Sequence, residues 1–138
     1  SDIMLVVETG NNAMITSCFL GRKLIDDLDT KHLKVLWDPA NALYCGENPS
    51  KNALDSMEGG YLGHVHMKDV EVAIHQAKIK CVALGEGQMA PHLQKISERL
   101  NQIGYDGSMS LESVYRPTEG SFEDGFNASI TKFKNLYS

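Results

Sequence analysis

Four apolar, β-rich runs in this chain each lead to a side chain able to hold a cation or move a proton. They lead to Glu8, Asp38, the pair His64/His66, and Glu112. Counted to His66, these residues stand 30, 28 and 46 apart, and each interval is long enough for one strand–crossover–strand step. Three carboxylates and one imidazole make a mainly oxygen-donor set. Such a set suits one divalent metal cation, Mn²⁺ first, with Mg²⁺, Co²⁺ or Zn²⁺ as alternatives. Beside a cation, a carboxylate can also act as general acid or base. One acidic residue at a strand end often only caps the next helix; four in four successive units point to a shared site. His64 and His66 alternate along one strand and share a face, so spacing alone leaves both open as ligands.

For these residues to meet, the runs must be parallel strands whose C-terminal ends lie on one face. The expected strands are Ile3–Val7, Leu33–Trp37, Tyr61–Met67 and Ser108–Leu111. Between them, Ile15, Phe19, Leu24, Ile25 and Leu28 are spaced as the inner face of a helix. A short helix is expected over Asn48–Met57 with Pro49 in its first turn, a longer one over Pro91–Ile103 stopped by Gly104, and a closing one over Phe122–Leu136. The closing helix should turn Phe126, Ile130, Phe133 and Leu136 inward. Residues 70–84 alternate loosely and read as a strand pair or an irregular excursion, with a helical piece as the alternative. Gly85-Glu86-Gly87 is a turn in which Glu86 shapes the loop. Trp37 and Met67 read as core or wall residues, and His32, His75 and His92 as surface. The fold class is α/β: parallel (β/α) units, about four of them, in one domain over residues 1–138.

Composition narrows the function. The chain has 138 residues, 42% hydrophobic and 22% charged, with a formal net charge of −5; this suits a globular domain. An acidic balance with scattered Lys and Arg argues against nucleic acid as the main partner. No apolar run approaches the roughly 20 residues of a membrane span, so no membrane partner is expected and the cytoplasm is the expected location. Cys18, Cys45 and Cys81 show no CxxC spacing and read as reduced thiols.

Several segments carry a likeness. Val35-Leu36-Trp37-Asp38-Pro39-Ala40-Asn41, His64-Val65-His66-Met67-Lys68-Asp69, Leu84-Gly85-Glu86-Gly87 and Gly104-Tyr105-Asp106-Gly107 through Ser110-Leu111-Glu112 resemble the xylose-isomerase-like TIM barrels. That resemblance implies Glu8, Asp38, His66 and Glu112 as the metal ligands, with Glu8 and Glu112 doubling as the acid/base pair. One would remove a proton beside a sugar carbonyl to give an enediolate, and the other would return it. The implied substrate is a small sugar, sugar phosphate or polyol, the implied activity an isomerase or epimerase. An inosose-type dehydratase is the nearest alternative. Asn41, His64, Lys68 and Arg116 are the expected substrate contacts, Arg116 for a phosphate group. Asn41 departs from the histidine many relatives carry there; it still hydrogen-bonds hydroxyls but shuttles no proton near neutral pH. Glu8 is followed by Thr-Gly-Asn rather than Asn-His. Endonuclease IV-like repair is disfavoured, because its Asp-Thr-Cys-His and Asp-Arg-His-Glu segments are absent.

A complete (β/α)₈ barrel takes about 250 residues, and this chain has roughly half of that. By the same resemblance it is expected to be the C-terminal half of such a barrel, either paired with a missing N-terminal half or self-associated as a homo-oligomer. A non-catalytic fragment is the third reading. Lys68 is expected to contact a substrate oxygen or to pair with a glutamate; the plainest alternative is an ion pair with its neighbour Asp69.

Overall fold

The computed structural model describes residues 3–137. Strands β1 (Leu5–Glu8), β2 (Leu33–Trp37) and β3 (Leu62–Met67) are followed by a hairpin of β4 (Asp69–Ala73) and β5 (Lys78–Val82), and then by β6 (Met109–Leu111). Helices α1 (Cys18–Leu28), α2 (Pro39–Tyr44), α3 (Leu93–Gln102) and α4 (Phe122–Tyr137) lie between and after them. β1, β2, β3 and β6 form one parallel sheet in that order, the partial barrel that the βα rhythm predicts.

Register decides which side chains share a face. Glu8 pairs with Leu36, Leu36 with His64, and His66 with Ser110. Residues paired across a parallel sheet point the same way, and strands alternate with period two. Glu8, Leu36, His64, His66 and Ser110 therefore lie on one face. The other face carries Val35, Trp37, Val65 and Met67, all fully buried in the core. Between β2 and β3 the register slips at Gly63: Val35 pairs with Leu62 but Leu36 with His64. This bulge brings Leu62 to the same side as Val65 and Met67. A Cβ on Gly63 would fall 2.8 Å from Lys34 Cβ and 2.9 Å from Val6 Cγ1, so only glycine fits the slip.

Two helices sit differently from the expected pattern. α1 buries Cys18, Gly21 and Ile25, while Phe19 and Leu28 face outward. It approaches β2 through Gly21, where an added Cβ would lie 2.7 Å from Val35 Cγ2. α4 likewise buries Gly125 and Ser129 and leaves Phe126 exposed. Gly125 rests on the Tyr115 carbonyl with no room for a Cβ, and Ser129 Oγ accepts the Leu84 N–H at 3.1 Å. Close approach through a small residue, not the largest apolar face, sets both rotations. Gly125→Ala should therefore lower stability by about 2 kcal/mol, as overpacking against rigid backbone does; an unchanged urea midpoint would argue against this close contact.

The expected helix over 48–57 is reduced to a 3₁₀ turn at Leu54–Met57, and α2 forms where none was expected. Asp38 and Pro39 supply its start: an Asp N-cap with Pro at the first helical position. Residues 70–84 take the strand-pair alternative as the antiparallel β4–β5 hairpin, turned by a 3₁₀ segment at Ile74–Gln76. Asp69 anchors that hairpin. Its buried carboxylate accepts the N–H groups of Val70, Gly85, Gly87 and Met89 at 2.8–3.0 Å. His92 is not a free surface residue but meets Ser50 Oγ through Nδ1 at 2.7 Å. Among the described residues the outer edges of β1 and β6 pair with no further strand, and Leu5 and Val6 on β1 are exposed. No helix among them is long and apolar enough to cross a membrane.

Candidate metal centre

Glu8 ends β1, Asp38 follows β2, His66 is the penultimate residue of β3, and Glu112 follows β6. One donor atom from each lies within 4.8 Å of the others. The parallel register and shared direction of the strands suffice to produce this convergence.

Asp38 is fully buried, and its two oxygens have different surroundings. Oδ1 accepts the N–H groups of Ala40 and Asn41 at 3.0 and 3.1 Å, capping α2. Oδ2 takes no backbone N–H and is ion-paired with Lys68 Nζ at 2.6 Å. Thr9 fixes the backbone around Asp38. Its Oγ1 accepts the Asp38 N–H at 3.0 Å, and its carbonyl accepts from Asn41 Nδ2 at 3.0 Å. Residue type does not single out Thr9; its position directly after Glu8 is the one signal the sequence offers.

His66 Nδ1 is also buried without a hydrogen-bond partner. It lies 3.3 Å from Glu8 Oε1 and 3.9 Å from Glu112 Oε2. A buried imidazole nitrogen without a hydrogen-bond partner, facing carboxylates from three other strand ends, suits a cation-binding cluster better than a closed structural network. The Asp38 oxygen left over from helix capping faces the same cluster, with Lys68 as its charged neighbour. The donor set fits a divalent ion.

His64 is placed otherwise. Its Nδ1 meets Ser108 Oγ at 2.9 Å and its Nε2 meets Ser110 Oγ at 2.6 Å, so both ring nitrogens tie β3 to β6. The ring stands edge-on to His66, 5.2 Å between centroids. The two histidines that alternation leaves alike differ in their neighbours: His66 faces the acids and His64 the serines.

Lys68 does not pair with Asp69, whose carboxylate is taken by backbone N–H groups. It reaches Asp38 Oδ2 and Glu112 Oε2, each at 2.6 Å. Burial raises the Asp38 pKa to about 6, and the Lys68 charge offsets only part of that effect. For Glu112, burial also raises the pKa, but the Lys68 hydrogen bond and charge outweigh it and hold the group below its ordinary value. Burial lowers the Lys68 pKa, and the two carboxylates more than reverse that. Arg116 is exposed and donates from Nε to the Gly120 carbonyl at 2.7 Å, within its own loop after β6. Glu86 is exposed at its turn.

The chain belongs to the family of xylose isomerase-like TIM barrels, which it matches over residues 1–135. Three solved structures show the same fold. A xylose isomerase domain protein from Planctomyces limnophilus is 23% identical, with a TM-score of 0.72 over 96% of this chain and 44% of its own. The 3-keto-D-glucoside 4-epimerase YcjR from E. coli is 22% identical, with a TM-score of 0.72 over 96% of this chain and 46% of its own. The probable 3-DHS dehydratase AsbF from Bacillus anthracis is 18% identical, with a TM-score of 0.72 over 96% and 49%. The chain thus spans about half the length of each. Comparison with curated proteins gives no match.

Proposed function

We propose that this chain supplies the cation-binding half of a sugar (or sugar phosphate) isomerase or epimerase that works by proton transfer beside a carbonyl, through an enediolate. The observation that carries this reading is the convergence of Glu8, Asp38, His66 and Glu112 from four successive parallel units. A divalent cation held by these four, Mn²⁺ in our reading, would supply positive charge beside the substrate oxygen that becomes negative as the proton leaves. Lys68 holds Glu112 in the carboxylate form that a general base requires, while weakening it as a base. Glu8, with 45% of its side chain exposed, is open to substrate. One of the pair removes the proton and the other returns one. His64 lies on the face of His66, and His64, Asn41 and Arg116 are the further contacts we assign to substrate, Arg116 to a phosphate group.

A dehydratase reading is favoured by one observation, the match in fold to the probable 3-DHS dehydratase. It shares the first step. Loss of water, rather than return of a solvent proton, would mark it.

Calorimetric titration of Mn²⁺ into chelator-stripped protein tests the site. Saturable one-site binding is expected, weakened at least about a hundredfold in Glu112→Gln, since loss of a ligand exceeds the cost of losing an outer-shell partner. No saturable binding, or equal affinity in the variant, would refute the four-ligand site.

A further inference from the structure

The position of Lys68 follows from period two. It continues the row of His64 and His66 on the site face, whereas Asp69 turns to the hairpin and is saturated by four N–H groups. The Lys68 side chain is only 11% exposed, and its ammonium touches two of the four candidate ligands at 2.6 Å. On Asp38 the touched atom is Oδ2, and Oδ1 is occupied by the N–H groups of Ala40 and Asn41. The one oxygen that Asp38 can offer an ion is therefore the one that Lys68 holds.

We propose that Lys68 is a built-in counter-cation of this centre, competing with the divalent ion for Asp38 and Glu112 and so lowering its affinity. The proposal deepens the cation-site reading above and rests on it. Three carboxylates alone would present a formal charge of −3, and Lys68 reduces that to −2. Oxygen-donor sites tune their affinity by the number of ligand charges, and a second cation beside the ion repels it most where water is scarce. Lys68 thereby keeps the acidic cluster together when no ion is present and makes the ion exchangeable rather than trapped.

The test is Mn²⁺ titration of the chelator-stripped chain as wild type, Lys68→Met and Lys68→Gln, alongside thermal unfolding with and without Mn²⁺. Removing the ammonium should tighten Mn²⁺ binding by about tenfold or more, as expected when one ligand-cluster charge is uncovered. The neutral variants should melt below wild type without Mn²⁺ and recover with it, because the ion replaces the missing charge. Unchanged or weaker binding in both variants, with wild type still binding, would overturn the role of Lys68 and leave the cation site standing. No Mn²⁺ binding by any of the three would remove the cation site and this inference together. Variants that stay unfolded at saturating Mn²⁺ would also overturn it, since Lys68 would then be structural.

Discussion

Asp69→Ala should destabilise the fold by roughly 3–5 kcal/mol, the range for breaking a buried charged network and leaving its partners unpaired. The carboxylate is 1% exposed. Oδ1 accepts from Val70 and Met89, both at 2.8 Å, and Oδ2 from Gly85 at 2.8 Å and Gly87 at 3.0 Å. Alanine leaves these donors without an acceptor, in a turn packed so closely that a Cβ on Gly87 would lie 2.6 Å from the Val70 carbonyl. Water has little room to substitute. Urea unfolding with an unchanged slope and a lower midpoint is the expected record. A loss below about 1 kcal/mol would mean that the turn holds without its anion. Because Asp69 adjoins Lys68, Mn²⁺ affinity should change in the same variant.

The second large effect is chemical. With a substrate of the proposed class, Glu8→Gln at saturating Mn²⁺ should slow exchange of the substrate's proton with solvent deuterium by about a thousandfold, within the range of one general acid or base. Saturation separates this from the weaker ion binding that loss of a ligand also causes. Glu8 is chosen because Lys68 does not contact it; the ammonium reaches Asp38 and Glu112 instead. Undiminished exchange in the saturated variant would exclude Glu8 from the proton path.

Much of this architecture is legible in the sequence. The βα rhythm gave the parallel sheet, and the four polar strand ends gave the residues that converge, because both depend on period and direction alone. What was hidden depends on particular neighbours. Pairing of Lys68 with a glutamate is among the sequence expectations and holds for Glu112. The contact with Asp38 is not, and the alternative pairing with Asp69 fails because the turn at 84–89 claims that carboxylate with backbone N–H groups. Phe19 and Phe126 read as inward because they are large and apolar. The helices instead close in through Gly21 and Gly125, a distance effect that hydrophobic spacing does not record. α2 was a different kind of miss. Asp-Pro at 38–39 is an ordinary helix-start signal, but the same Asp38 also closes a strand, and the strand-end reading masks the cap.

The bulge at Gly63 has a mechanical meaning. A strand with unbroken pairing transmits any slip along its length, and one residue of slip reverses every side chain. β3 is instead divided: Leu62 answers to Val35 and the core, while His64 and His66 answer to Leu36 and Ser110. A change of length in the segment before β3 can be absorbed at the joint, so the acid-facing histidine is insulated from the most irregular stretch that precedes it.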